Sequence, residues 1–196
     1  MWKWIVGALL VLVVALAATC YISYRKLMGG GDSVTVAVAA SPDRVWASLA
    51  NSDSMSIWMA VGSKVTASRH GIVAVGDTLR VELRSRGSKQ QNYTWTVSDV
   101  TPGRLLVLQM RNDSSRQVFA TRRDSLVGAG DSTLVVSTIG SPVIDSMRNE
   151  RGDSGGKFGG AVLDFGSKML VSVFRLMSEQ DLRRLKARLE GKPMPN

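Results

Sequence analysis

The sequence predicts an α+β domain preceded by one transmembrane helix. The domain is expected to contain a curved antiparallel sheet of about seven strands, two short helices and a long C-terminal helix. Three observations predict this class: an uncharged apolar run opens the chain, period-two alternation recurs in short segments, and apolar residues recur at helical spacing near the C-terminus. The 196 residues suffice for one anchor and one domain.

Residues 1–27 are expected to form a transmembrane anchor. No residue from Ile5 to Ile22 is charged, and about 18–20 apolar residues in a helix span the hydrocarbon core of a bilayer. Tryptophans before this run and tyrosines at its end suit the two membrane interfaces. The basic residues on the two sides nearly balance, so the sequence does not set the side of the membrane.

Two alternatives to the uncleaved anchor stay open. The small residues of Ala15-Leu16-Ala17 resemble a signal-peptide cleavage site, and cleavage there would make the domain secreted or periplasmic. A lipoprotein would carry its lipid on Cys20. The anchor is favoured because only Lys3 precedes the apolar run and the run continues past Ala17.

Residues 28–33 are glycine-rich and predict a flexible linker, after which residues 34–192 form the domain. Alternating valines predict the first strand: Val34, Val36 and Val38. Ser41 and Pro42 suit the N-cap and the first position of a short helix. A second short helix is expected from Asp53 to Met59.

Six further segments have strand composition and are separated by turn residues: Ser63–Ser68, Thr78–Ser85, Gln91–Val100, Arg104–Arg111, Gln117–Leu126 and Ser132–Ile139. In the second of them, Leu79, Val81 and Leu83 share one side. Such strands have one buried and one solvent-exposed face. Their short connections are typical of an antiparallel meander.

A long C-terminal helix is expected to cover the buried face of the sheet. Its apolar residues recur at helical spacing: Val162, Phe165, Met169, Val173 and Leu176, and then Leu182, Leu185 and Leu189. Ser178 to Asp181 resembles a capping box, which predicts a break or kink there. Gly191 and Pro193 end the helix.

The order of these elements, together with the segment VTVAVAASPDRVWASLANSDSMSIWM, resembles the START-like (SRPBCC) helix-grip superfamily, which includes polyketide cyclase/dehydrase-like proteins. The family pattern is a strand, an Ala/Ser-Pro-x-x-Val-Trp helix start and a short helix that ends in Trp. Here Ser41-Pro42, Val45-Trp46 and Trp58 occupy those positions. The resemblance implies a sheet that grips the long helix, with a space between them that can be an apolar cavity.

The resemblance also implies binding of a hydrophobic small molecule or lipid, and with the anchor it predicts a membrane-tethered binding protein. The inward faces of strands and helix would line the cavity: Trp58, Val81, Tyr93, Trp95, Leu108, Met110, Phe119, Phe165, Met169 and Val173. The alternative is that these residues form a solid core. Two other functions stay open: a cyclase/dehydratase-type enzyme, or a ligand-free module that docks on an anionic membrane or on protein partners.

Composition limits the chemistry. One histidine, and one cysteine within the apolar N-terminal run, exclude multi-histidine and cysteine-based metal sites, and no motif predicts a cofactor. The net charge of +9 is scattered and no nucleic-acid-binding motif is present, so no nucleic acid is expected as a partner. For an enzyme, the polar candidates are His70, Tyr93 and Asp99, and the sequence favours binding over catalysis.

Basic residues of the strands predict an exposed face or rim: Arg80, Arg84, Arg86 and Lys89, and then Arg111, Arg116, Arg122 and Arg123. Such a face is either simply solvated or docks against anionic lipid, in which case each basic residue contributes about 1 kcal/mol.

Overall fold

The computed structural model describes residues 33–59, 64–83, 91–112, 118–142 and 157–195, without the side chains of 83, 91, 92, 112, 157–168 and 170. All of these residues belong to one compact unit, Asp32–Asn196. The predicted anchor, and the predicted linker up to residue 32, lie outside the described residues. No helix in the described ranges combines the length and apolar character needed to cross a bilayer.

The described residues form seven strands and three helices. In chain order they are β1 (Ser33–Val38), α1 (Pro42–Leu49), α2 (Ser52–Trp58), β2 (Lys64–Ala67), β3 (Thr78–Leu83), β4 (Gln91–Thr101), β5 (Leu105–Asn112), β6 (Val118–Ala129), β7 (Ser132–Gly140) and α3 (Lys157–Leu189). The predicted order of strands and helices is confirmed.

The seven strands form one sheet in the order β1-β7-β6-β5-β4-β3-β2. Every neighbouring pair is antiparallel, and β1 pairs with the last strand, β7, with Val36 opposite Val135. The register shifts between Val97 and Asp99 of β4, and again after Met110 of β5. Such bulges bend a strand and increase its local twist, which suits a sheet that curves around a helix.

The sheet buries one face, as the alternation predicts. The buried apolar residues of this inner face come from six strands: Val38, Leu79, Val81, Trp95, Val97, Leu106, Leu108, Met110, Ala120, Leu126 and Val135. Helix α3 packs against β1 and β7 and against α1 and α2. Its Leu182 and Leu185 are fully buried and join the same core.

Helix α3 runs without interruption from Lys157 to Leu189, so the predicted break at Ser178 is wrong, while the kink expected as its alternative stays a prediction. Ser178 and Asp181 are buried on the same helix face as Leu182 and Leu185. They therefore lie within the packed interface instead of capping a new helix. The predicted end is confirmed: Gly191 has a φ of +65°, and the Lys192 N–H donates to the Ala187 carbonyl, which satisfies the last turn.

The ends of α1 and α2 are defined by local hydrogen bonds, and one further hydrogen bond joins the two helices. Pro42 occupies the first turn of α1 as expected, although the Ser41 side chain makes no capping bond. Asn51 caps α2, because its Oδ1 accepts the N–H groups of residues 53 and 54. Trp58, at the end of α2, is fully buried, and its Nε1 donates to the carbonyl of Ser48 over 3.1 Å.

Candidate functional site

The inner face of the sheet and the helices that cover it form the candidate site. Of the ten residues predicted to line a cavity, five are buried here: Trp58, Val81, Trp95, Leu108 and Met110. Tyr93 and Phe119 are half-buried and pack against the same core. The structure therefore brings seven of the ten residues together around one apolar face, and their role as cavity lining stays a prediction.

The other three predicted residues belong to α3. Met169 and Val173 are 50% and 43% exposed, and helical spacing places them on the side opposite Leu182 and Leu185. The face of α3 that meets the core continues from Leu182 through the buried Ser178 instead. The side chain of Phe165 lies outside the described residues.

A buried charged cluster lies on the same inner face, and sequence reasoning did not predict it. Arg122 of β6 is 2% exposed and Asp124 is fully buried. The Nε of Arg122 donates to both carboxylate oxygens of Asp124 at 3.0 Å, and its Nη1 donates to Oδ2 of Asp181 on α3 at 2.7 Å. The guanidinium carbon lies 5.5 Å from the ring centroid of Trp58, a cation–π distance. One side chain therefore links β6, α3 and α2.

The expectation that Arg122 belongs to an exposed basic face is wrong. Arg123, the next residue, is exposed on the outer face, as are Arg80 and Arg111. Strand alternation puts Arg122 on the inner face with Ala120, Asp124 and Leu126. The two aspartates offset the cost of burying the guanidinium. The missed signal was the Arg-x-Asp pair at period two among apolar residues.

The electrostatics of the cluster keep Arg122 charged. Burial alone would lower the pKa of its guanidinium, but the charges and hydrogen bonds of Asp124 and Asp181 outweigh that effect and raise the pKa above its ordinary value. Two carboxylates face this one guanidinium, so the cluster has no net positive charge. The hydrogen-bonding capacity of the cluster is not exhausted, because Nη2 of Arg122 and Oγ of Ser137 are both buried without a hydrogen-bond partner among the described residues.

Comparison with known proteins assigns the family. Residues 33–190 match the model of the family described as polyketide cyclase/dehydrase and lipid transport. The chain belongs to this family. A search of curated proteins found no match.

Solved structures share the fold of this polyketide cyclase/dehydrase family member at low sequence identity. The KanY protein is 18% identical with a TM-score of 0.53, covering 82% of this chain and 97% of its own. A protein from Arthrobacter aurescens is 14% identical with a TM-score of 0.55, covering 81% and 85%. CalU16 from Micromonospora echinospora is 15% identical with a TM-score of 0.50, covering 83% and 76%. These matches agree with the predicted helix-grip fold.

The polar residues predicted for an enzyme of this family do not converge. The side chain of His70 is 91% exposed, Asp99 is exposed on the outer face, and Tyr93 is half-buried on the inner face. His70 Nδ1 instead hydrogen-bonds to Asp53 Oδ1 at the start of α2, and the Gly71 N–H donates to the other oxygen of Asp53. This arrangement fastens a loop to the N-terminus of α2 at the surface.

The acid dependence of stability is expected to reflect this pair. The hydrogen bond from His70 lowers the pKa of Asp53, and the charge of His70 and the Gly71 N–H act in the same direction. A carboxylate whose pKa is depressed by folding contributes its full stabilisation above its ordinary pKa of about 4, and loses it as the pH falls through the lowered value. In urea titrations from about pH 5 to about pH 2, Asp53→Asn should therefore lose less stability than the wild type.

Asp131→Asn is the control for that experiment, because Asp131 is exposed in the turn between β6 and β7. Its acid profile should follow the wild type. If the free energy of unfolding fell equally with pH in the wild type and in Asp53→Asn, the Asp53–His70 pair would not account for the acid dependence of stability.

An open depression of about 490 Å³ lies at the C-terminal end of α3 and is lined by Ala39, Arg44 and residues 189–192. Its polar groups bond to one another. Glu190 accepts from the Ala39 N–H and from Lys192 Nζ, and Arg44 donates to the Leu189 carbonyl. These contacts join Ala39, which follows β1, and Arg44 of α1 to the end of α3, and they leave the inner face as the stronger candidate site.

Proposed function

We propose that this protein binds a hydrophobic small molecule or lipid in an apolar space between the inner face of the sheet and α3, and that its N-terminal segment tethers it to a membrane. The observation that carries the proposal is the buried apolar face covered by one long helix, in a family described by polyketide cyclase/dehydrase and lipid transport. Half-buried aromatic side chains pack at this core and supply further apolar surface: Tyr93, Phe119 and Phe174.

Enlarging one inner-face residue tests the binding site. Val81 and Val107 are both 8% exposed, but Val81 lies on the inner face, whereas Val107 pairs with the outward Arg123. If a ligand occupies the inner side, Val81→Phe should weaken binding of the fluorescent probe N-phenyl-1-naphthylamine by about tenfold or more, because the added ring fills the space that the ligand needs. Val107→Phe should leave the affinity unchanged.

Probe titration of the full chain in amphipol gives both affinities, and native mass spectrometry of the protein as purified reports any lipid that it carries. A solid core makes a different prediction. The wild type would then bind no probe, and Val81→Phe would only destabilise the fold, by about 1–3 kcal/mol for overpacking.

The membrane tether has its own test. An uncleaved anchor keeps the full chain in the membrane pellet after an alkaline carbonate wash, and the intact mass of the protein includes residues 1–27. A mature N-terminus after Ala17 would instead identify a cleaved signal, and a lipid adduct on Cys20 a lipoprotein.

The buried charged cluster favours one alternative, a cyclase/dehydratase-type enzyme. A guanidinium on the inner face would stabilise negative charge that develops on a ligand oxygen, and an aspartate is a possible proton acceptor. The chemistry of the ligand decides between the two functions. A binding protein returns its ligand unchanged, whereas a dehydratase returns a product lighter by one water.

A further inference from the structure

The hydrogen bonds of Arg122 leave one side of its guanidinium unused. Nε and Nη1 are occupied by Asp124 and Asp181, and Nη2 has no partner among the described residues. Buried donors are nearly always paired in folded proteins, and an unpaired one destabilises the fold. The guanidinium carbon lies over the ring of Trp58, and this contact engages the face of the ring without pairing Nη2 with a hydrogen-bond acceptor.

A second unused hydrogen-bonding group, the hydroxyl of Ser137, belongs to the same cluster. Ser137 of β7 is directly opposite Asp124 in the sheet register, so the two side chains lie on the same face with Cβ atoms about 5 Å apart. The Oγ of Ser137 is buried without a partner among the described residues. Two unpaired hydrogen-bonding groups therefore belong to one cluster within an otherwise apolar face.

The charge of the cluster limits what these groups can bind. Asp124 and Asp181 outnumber the single guanidinium, so Arg122 offers hydrogen-bond donors in a cluster without net positive charge. An anionic head group would meet two carboxylates at close range, and repulsion between like charges disfavours it. An uncharged oxygen, such as that of a ketone, an ester or an alcohol, accepts from Nη2 without this penalty.

We propose that Arg122, aided by Ser137, is the specificity-determining group of the ligand site and hydrogen-bonds to one uncharged oxygen of an otherwise apolar ligand. This inference rests on the proposed binding function and names the ligand class. Nη2 and the Ser137 Oγ are closed to solvent in this structure. A hydrogen bond between these groups and a ligand oxygen therefore forms in a site shielded from water, where it discriminates strongly.

The test compares three naphthalene probes that differ in one small substituent, namely 2-acetylnaphthalene, 2-ethylnaphthalene and 2-naphthoate. With the full chain in amphipol and amphipol alone as the blank, equilibrium dialysis should give at least about tenfold tighter binding of the ketone than of either other probe. The infrared carbonyl band of bound 2-acetylnaphthalene should move to lower wavenumber, as it does when a carbonyl accepts a strong hydrogen bond. A residue that only stabilises the fold would not move this band.

The matched variant replaces the whole cluster, Arg122→Met with Asp124→Leu and Asp181→Leu, because well-packed apolar residues can replace a buried ion cluster without loss of stability. It should lose both the ketone preference and the shift of the carbonyl band. Ser137→Ala, which keeps the ion cluster intact, should reduce the preference in part. Ser54→Ala removes another buried, unpaired hydroxyl, outside the cluster, and should change nothing.

The outcomes separate the two proposals. If the wild type binds ketone and hydrocarbon equally, the role of Arg122 is overturned while the binding function stands. Tighter binding of 2-naphthoate, or a ketone preference that survives in the triple variant, also overturns it. If none of the three probes binds, the proposed binding function itself fails.

Discussion

Arg122→Met is expected to lower the free energy of unfolding by about 3–5 kcal/mol, because it removes the counter-charge of two buried carboxylates. Asp124 is fully buried and the side chain of Asp181 is 8% exposed, so neither can regain full hydration in the folded state. The substitution also removes the link between β6 and α3. Urea denaturation of the full chain in detergent micelles, followed by near-ultraviolet circular dichroism, measures the change.

The matched control is the next residue of the same strand. Arg123→Met removes the same charge and has the same change in volume, but Arg123 is exposed on the outer face, so the free energy of unfolding should change by no more than about 0.5 kcal/mol. Replacing Asp124 and Asp181 with Leu in the Arg122→Met background should restore most of the loss. Equal effects of the two arginine substitutions would mean that the cluster is hydrated in solution.

The sheet could be predicted from the sequence because each strand buries only one face. Period-two alternation marks that face directly, and residues such as Leu79, Val81 and Trp95 lie where it places them. Turn residues between the segments then fix the number of strands and favour antiparallel neighbours. The pairing of β1 with β7 could not be obtained from alternation, since it joins the two ends of the chain order.

The charged cluster could not be predicted because its partners are distant in sequence. A charged side chain is seldom buried unless it is paired, so an arginine in a strand is first assigned to the exposed face. Asp181 lies 59 residues after Arg122, and only the folded chain brings the two together. Alternation alone would have placed Arg122 inward, but it carries no information about the partner that makes burial possible.

The orientation of α3 depends on tertiary contacts in the same way. The helix has two apolar stripes, and helical spacing does not say which of them faces the sheet. The stripe of Leu182 and Leu185 packs against the core, whereas Met169, Val173 and Leu176 remain 43–50% exposed. Extending the spacing backwards from Leu182 leads to Ser178 and Phe174, which are buried and half-buried. Because Ser178 is polar, the apolar pattern of the sequence did not show that the buried face continues from Leu182 to Phe174.

Leu185→Ala should lower the free energy of unfolding by about 2–5 kcal/mol, the range for large-to-small changes in a packed core. Leu185 is fully buried at the centre of the α3 face that meets the core, and the cavity would form where the helix is held to β1 and β7. Leu176→Ala deletes the same atoms from the exposed side of the same helix, with similar helix propensity, and should cost no more than about 0.5 kcal/mol. Urea denaturation of the full chain measures both.

The ratio of the stability losses in Leu185→Ala and Leu176→Ala also tests whether the side of α3 that carries Leu176 is exposed in solution. Helix propensity and side-chain volume change equally in both variants, so any difference arises from what each leucine contacts. A large cost at Leu176 would mean that another surface covers this side of α3 in solution, because an exposed side chain has little apolar contact to lose. A small cost at Leu185 would mean that α3 is weakly attached to the sheet, and a loosely held helix could not enclose a ligand against the inner face.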